Sequence, residues 1–293
     1  MSRIPRFTAA DEEAGAREPF TDAALYDFEY RRRRADVTFY RRIAAERRES
    51  GPGPVLDLAC GTGRLLVPLL RDGHTVVGLD RSPAMLARAA ARLRRQSATR
   101  RARALLLAAD LRAFAFAPGF ALAICAFHSV QHLVGRRALV GFLRAVRASL
   151  VPGGWFAFDV LPPDPAWIAR DPARRWARTI FRHPETRQRL VYTTNHVYDR
   201  RRRALHMRMY YQPIDERGRN TGAERTMRLC HRQLAPVEVA ALLAAAGLEL
   251  VTTFGGFDGR PQGDGDDEHI YVARRPRARK PPSPSRKSRR ENP

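Results

Sequence analysis

Val55-Leu56-Asp57-Leu58-Ala59-Cys60-Gly61-Thr62-Gly63-Arg64 is the stretch that decides the fold, and the apolar run Leu65, Leu66, Val67 follows it. Apolar residues carry an acid into a turn of small residues, and the turn opens onto a new apolar run. That pattern predicts a buried strand, a tight bend and the first turn of a helix. The two glycines remove side chains that would hold a ligand off the backbone. A helix start behind them offers unpaired N–H groups and a positive dipole end to a negatively charged ligand group.

Two kinds of nucleotide-like ligand use such a bend. A dinucleotide site calls for a third small residue so that helix and strand pack closely around a pyrophosphate. Counted on from Gly61, that place is Leu66. The run Asp-Leu-Ala-Cys-Gly-Thr-Gly-Arg instead resembles the first motif of class I S-adenosylmethionine-dependent methyltransferases. Residues 75–80, Thr-Val-Val-Gly-Leu-Asp, read as a second strand ending in an acid, and Ser82-Pro83 suits the N-cap and first position of a helix. Asp80-Arg81-Ser82-Pro83-Ala84-Met85-Leu86 resembles the second motif of that family. A carboxylate at Asp80 accepts hydrogen bonds from ribose hydroxyls. The resemblance implies that Met85 packs on the adenine face, beside Arg81. A third strand, 104–109, ends in Asp110-Leu111, where the family places an acid on the adenine amino group. A fourth strand, 121–127, leads into His128-Ser129-Val130-Gln131-His132. Ligands of open α/β sheets bind at the carboxyl ends of strands. Asp57, Asp80 and Asp110 end three successive strands. The resemblance therefore implies a cofactor site of Asp57, Ala59, Gly61, Gly63, Asp80, Arg81, Met85, Asp110, Leu111 and Phe127, with S-adenosyl-L-methionine as cofactor.

The implied fold is α/β: a Rossmann-like, seven-stranded, mostly parallel sheet with helices on both faces and an inserted antiparallel β meander. Residues 1–20 look disordered, being polar, acidic and aperiodic. Asp22 caps a helix from 23 to 48 whose apolar stripe is interrupted by the arginines at 31–34. The methyltransferase domain spans 21–273, with its core at 55–160 and 235–273 and the meander at about 175–232. Segments 178–181, 189–198, 204–214 and 225–229 alternate in polarity and supply the meander strands. A helix at 236–246 closes on Gly247 as its C′ residue. Its N-cap position is Ala235, where a Ser or Thr would contribute about 1 kcal/mol. The tail at 274–293 is Pro-, Ser- and Arg-rich and reads as basic and disordered.

The chain has 293 residues and a net charge of +23. The tail alone carries nine basic residues against one acid. This balance favours polyanionic partners, so a nucleic-acid methyltransferase is the alternative reading. No base-flipping Pro-Pro-Tyr motif or RNA-binding module accompanies it. No apolar run approaches the ~20 residues of a membrane span, and residues 1–17 lack the apolar centre of a signal peptide. The three cysteines, Cys60, Cys125 and Cys230, are odd in number and far apart, which excludes a disulfide framework and a metal spacing. A cytoplasmic protein with a small-molecule partner follows. A homodimer is compatible with the chain, as is a protein that binds the cofactor without turnover.

The helix bearing Tyr26-Asp27-Phe28-Glu29-Tyr30, the Phe-His-Ser-Val-Gln-His-Leu loop and the meander before Gly247 resemble amino-sugar N-methyltransferases and, more loosely, glycine N-methyltransferases. In that group the N-terminal helix and meander roof the site, which implies an amine acceptor. An amine must be neutral when it attacks, so a proton acceptor is useful. His132 follows the fourth strand and has an ordinary pKa near 6.5. It is the leading catalytic candidate, with Tyr26 closing the site from the helix. His128 and His132 have the spacing of a metal pair, but no third ligand stands near in sequence.

Overall fold

The computed structural model describes residues 7–49, 51 and 53–277. A seven-stranded sheet forms from β1 (Val55–Leu58), β2 (Val76–Asp80), β3 (Ala104–Ala108), β4 (Phe120–Cys125), β5 (Leu150–Val160), and two late strands described below. Before it come α1 (Ala9–Gly15), α2 (Ala23–Glu29) and α3 (Ala35–Glu49); between its strands run α4 (Leu66–Arg71), α5 (Pro83–Arg94), α6 (Ala98–Arg101) and α7 (Arg136–Ser149). After β5 come α8 (Pro165–Ile168), a meander of β6 (Trp176–Arg182), β7 (Arg189–Asp199), β8 (Ala204–Pro213) and β9 (Arg225–Arg232), then α9 (Pro236–Ala246), β10 (Glu249–Phe254) and β11 (His269–Arg274). The large sheet has the order β10-β11-β5-β4-β1-β2-β3. Its β1 to β5 pairings are parallel, and β11 runs antiparallel to both its neighbours. The meander is a separate four-stranded antiparallel sheet.

Residues alternate between the two faces of a strand. Leu56 and Leu58 of β1 therefore join a core with Leu139, Leu143 and Val146 of α7 and Val239 and Leu243 of α9. Val55 faces the other way and packs with Phe39 and Ile43 of α3 and Leu66 and Leu70 of α4. Helices thus cover both faces, which is what makes strands such as β4 apolar throughout. The chain order reverses between β1 and β4, so the carboxyl ends of β1, β2, β3 and β4 open onto one crevice.

The N-terminal reading needs correction. Residues 1–6 lie outside the described residues, but 9–15 form α1 and 18–20 a single 3-10 turn. The capping box of Thr8 with Asp11 satisfies the first N–H groups of α1. Gly15 packs so closely that a Cβ there would stand 2.6 Å from the Cys230 nitrogen of β9. Docking on the meander therefore orders a segment whose composition alone would leave it loose. The arginines at 31–34 do break the predicted long helix into α2 and α3, and Asp22 caps α2 by accepting from the Leu25 N–H at 2.9 Å. The helix after the glycine bend is shorter than expected, starting at Leu66. Ala235 makes no side-chain cap, and Gly247 closes α9 at φ 75°. Arg274 ends β11, and Arg275 binds the Leu150 carbonyl at 2.6 Å. The rest of the tail, 278–293, lies outside the described residues. Among the described residues no helix is long and apolar enough to cross a membrane, and all three cysteines are buried and free.

Candidate active site

The bend after β1 is the floor of the site. Ala59 and Gly61 both adopt left-handed backbone, at φ 56° and 55°. A Cβ on Gly61 would meet nothing nearer than the Ala59 carbonyl at 4.0 Å, so its open side faces free space. A Cβ on Gly63, at φ 77°, would press on Ala89 of α5 at 3.3 Å. Gly63 thus serves helix packing, while Gly61 leaves room for a ligand. The Gly61 N–H donates to Asp80 Oδ2 at 2.9 Å, and the Ser82 N–H donates to Asp80 Oδ1 at 2.8 Å. Asp80 therefore welds the bend to the end of β2 while retaining acceptor capacity. Burial raises its carboxyl above the usual range, against the pull of these N–H groups.

The bend opens into a cavity of about 1470 Å³. Ala59, Gly61, Asp80, Arg81, Met85, Asp110, Leu111 and Phe127 all line it, and so do Tyr26 and His132. Asp57 and Gly63 do not. Asp57 borders a void of about 30 Å³ behind the bend, which shares Tyr26, Ala59, Gly61 and Phe127 with the main cavity. Asp57 is 2% exposed, and its Oδ2 is buried without a hydrogen-bond partner. Burial, then repulsion from Asp80, pushes its carboxyl up to about 7.

Asp110 is held by two arginines, Arg112 at 2.6 Å and Arg81 at 3.2 Å. Glu13 of α1 grips the same two, at 2.9 and 2.7 Å. The helix missing from the sequence reading therefore closes this side. Above the bend, α2 is anchored by Asp27, which accepts from Thr62 Oγ1 at 2.6 Å and from Arg88 Nε at 2.9 Å. This clamp sets Tyr26 and Tyr30 over the cavity, and the Tyr30 and Phe127 rings meet edge to face at 4.7 Å.

Phe127 and His128 both take left-handed backbone at φ 62° and 57°. Such a pair of non-glycine residues persists only when its surroundings force it. Asp159 of β5 does so. It is fully buried and accepts from the Phe127 N–H at 2.9 Å, the His128 N–H at 2.8 Å and the Tyr40 hydroxyl. His128 Nε2 in turn donates to Glu268 at 2.5 Å. His128, Asp159 and Glu268 bring three metal-competent groups together. The donors already on Asp159 and the His128–Glu268 bond make the cluster a hydrogen-bonded brace for the β4 loop.

His132 faces His231 of β9, Nε2 to Nε2 at 3.4 Å. Its partner is thus not His128, the i−4 residue. Burial lowers the His132 pKa to about 4, and burial, with the neighbouring His132, also holds that of His231 well below its usual value. The expected ordinary pKa is therefore corrected: both rings are neutral near pH 7. Sequence reasoning missed His231 because β9 was expected to stop at 229. It missed Asp159 and Glu268 because neither sits in a recognisable motif. Alternation along 225–231 would have placed His231 on the same face as Met227.

A small-residue bend with an open side, an acid at the end of each of β2 and β3 and a buried carboxylate with one unpartnered oxygen beneath the bend suit an adenosyl group carrying an amino-acid tail. The fold and this site define a class I, S-adenosylmethionine-dependent methyltransferase architecture. Residues 55–154 match the family described as "Methyltransferase domain". A curated relative, dTDP-3-amino-3,6-dideoxy-alpha-D-glucopyranose N,N-dimethyltransferase of Streptomyces fradiae, is 33% identical over 152 residues, 50% of this chain and 53% of that protein. The chain spans about half the length of the curated relatives it matches. Among solved structures, the CcbJ methyltransferase of Streptomyces caelestis superposes with a TM-score of 0.67 at 21% identity, covering 87% of this chain and 98% of that one. The glycopeptide N-methyltransferase MtfA superposes with a TM-score of 0.53 at 26% identity, covering 81% and 90%.

Proposed function

We propose that the chain transfers a methyl group to the nitrogen of a small-molecule amine by in-line displacement. The observation that carries this reading is the single cavity onto which the ends of β1 to β4 and the roof residues Tyr26 and His132 converge. S-adenosylmethionine supplies an electrophilic methyl group on a sulfonium. Asp80 accepts from the ribose hydroxyls, Met85 and Leu111 flank the adenine beside Arg81, and Asp110 accepts from its amino group. Gly61 and Ala59 offer backbone at the bend, and the orphaned Asp57 oxygen favours a cationic amine near it. Phe127 presents an aromatic face, which attracts cations.

On the acceptor side, the His132 imidazole is neutral, with Nε2 facing His231 and Nδ1 buried, and this uncharged roof favours the neutral, attacking amine. Burial raises the Tyr26 hydroxyl well above its usual range, so it stays protonated as a donor. The protein's main contribution is alignment in a closed site, which supplies about 7–11 kcal/mol. The relatives support an amine: one is named an N,N-dimethyltransferase and another an N-methyltransferase. The test is methyl transfer from labelled cofactor to a panel of amines, alcohols and RNA. Labelling of RNA with no labelled amine would overturn the reading.

A further inference from the structure

The cavity wall contradicts the charge of the chain. The chain carries +23, yet among the described lining residues are ten Asp and Glu side chains and three arginines, with no lysine. The three arginines are engaged. Arg81 and Arg112 are tied to Glu13 and Asp110, and Arg33 pairs with Glu268 at 3.2 Å while lying over the Phe127 ring. Acids at 264, 266, 267 and 268 also line the cavity, and Glu268 stands beside His128. Glu12 and Asp266 are likewise paired, to Arg202 and Arg260 outside the wall. Fields focused in the cleft let the remaining acids, Glu29, Asp80, Asp164, Asp264 and Asp267, concentrate cations and repel anions.

The cavity is also too large for one ligand. Small-molecule sites run to about 300–1,000 Å³, against about 1470 Å³ here. Part of the cavity wall, on the meander, is apolar. Leu205, Met207 and Met209 of β8 alternate onto the cavity, joined by Met227 and Leu229 of β9. Methionines fit irregular apolar shapes. Beside these side chains stands Glu29, at the end of α2. Its Oε1 accepts from the Tyr211 hydroxyl at 3.1 Å, and its side chain opens to the cavity. Burial pushes its carboxyl up to about 7, helped by Asp22 and opposed by the Tyr211 bond.

We infer that the acceptor is a phosphate-free amine on an apolar body, steered by the carboxylate wall and met at its nitrogen by Glu29. This rests on amine methylation as the reaction. It departs from the substrate named for the Streptomyces fradiae relative, a dTDP-linked sugar. A nucleoside diphosphate needs paired cationic donors or free backbone N–H groups. Among the described residues the wall supplies no unengaged arginine. The N-terminus of α7 at Gly135 is where exposed N–H groups border the cavity, and a dTDP probe reads whether that suffices.

The experiment is calorimetry on the full chain loaded with S-adenosylhomocysteine, titrated with phenylbutylamine, with phenylbutanol and with dTDP. The amine is expected to bind at least tenfold more tightly than the alcohol, and dTDP to bind more weakly than both. Added salt should weaken the amine and leave the alcohol unchanged, since charge attraction is screened. Glu29→Gln should lower amine affinity about tenfold with S-adenosylhomocysteine affinity unchanged; Tyr211→Phe, which keeps the carboxylate, should retain amine preference. An amine no tighter than the alcohol, a dTDP affinity matching the amine, or an amine affinity indifferent to Glu29→Gln overturns the inference. Failure of S-adenosylhomocysteine itself to bind counts against the methyltransferase reading, and the amine, alcohol and dTDP arms on the unloaded chain still decide the wall's preference.

Discussion

His132 Nε2 and His231 Nε2 stand 3.4 Å apart, one ring from the loop after β4 and the other from the meander strand β9. The contact joins the loop after β4 of the large sheet to the meander. Two protonated imidazoles would repel at this distance, and desolvation holds both pKa values below the usual range, so the pair is neutral. His132→Ala should lower kcat by about 100-fold while S-adenosylhomocysteine affinity stays within twofold. Because His132 titrates near 4, the pH–rate profile between 6 and 9 should keep its shape in the variant. A limb near 6.5 present in the wild type and lost in the variant would show a titrating base instead.

Asp80 carries two duties that a binding experiment and a melting experiment separate. Its oxygens hold the Gly61 and Ser82 N–H groups, and its remaining lone pairs face the cavity. Hydrogen bonds to a charged acceptor contribute about 1.5–3 kcal/mol each. Asp80→Ala should weaken S-adenosylhomocysteine binding by about 10- to 100-fold and lower the melting temperature of the free protein as well. Unchanged affinity by calorimetry would refute the ribose role.

The sequence was most legible where chemistry and fold demand the same residues. A glycine is written into the bend at 61 because the backbone goes left-handed beside open space, and Asp80 is written at the end of β2, where it braces that bend and lines the cavity. Tyr26 and His132 were readable from their places on the roof helix and the β4 loop. Asp159 was not, since an acid late in an apolar strand looks like a flaw until it meets the N–H groups of residues 127 and 128, which lie far away in sequence. Glu13 was hidden for a related reason. Its segment has little apolar content, and its order comes from ion pairs to Arg81 and Arg112 and from packing on β9, neither of which leaves a local signature. The acidic wall was masked by the total charge, which sums over faces that only the fold separates.

Asp159→Asn tests the brace beneath Phe127 and His128. The amide keeps the shape of the carboxylate but turns one acceptor into a donor, which then confronts an N–H group. An unpaired buried donor costs about 1–3 kcal/mol, and the left-handed backbone at 127 and 128 loses the contact that enforces it. The urea midpoint should fall, and kcat should fall together with it, with cofactor affinity changed less because the bend at 59–63 is untouched. A variant of wild-type stability would show that the loop holds its shape without Asp159.

Asp57 gives a pH-dependent stability whose sign is fixed by its surroundings. Its folded-state pKa is raised to about 7 by burial, above the ~3.9 of an unfolded chain. Below pH 4 the carboxyl is protonated in both states and costs nothing extra. As pH rises from 4 to 7 the unfolded chain releases the proton while the folded protein retains it, so stability is lost across that window, and above 7 the loss is complete. Asp57→Asn removes the titration and keeps the shape. The melting temperature of the free variant should exceed that of the wild type at pH 8, by less at pH 5, and the two should converge near pH 4. Saturating S-adenosylhomocysteine should narrow the gap at pH 8, because a cationic amine beneath the bend would stabilise the wild-type carboxylate and do little for the amide. A wild type that matches the variant at pH 8 without ligand would show that Asp57 is already compensated in the free protein.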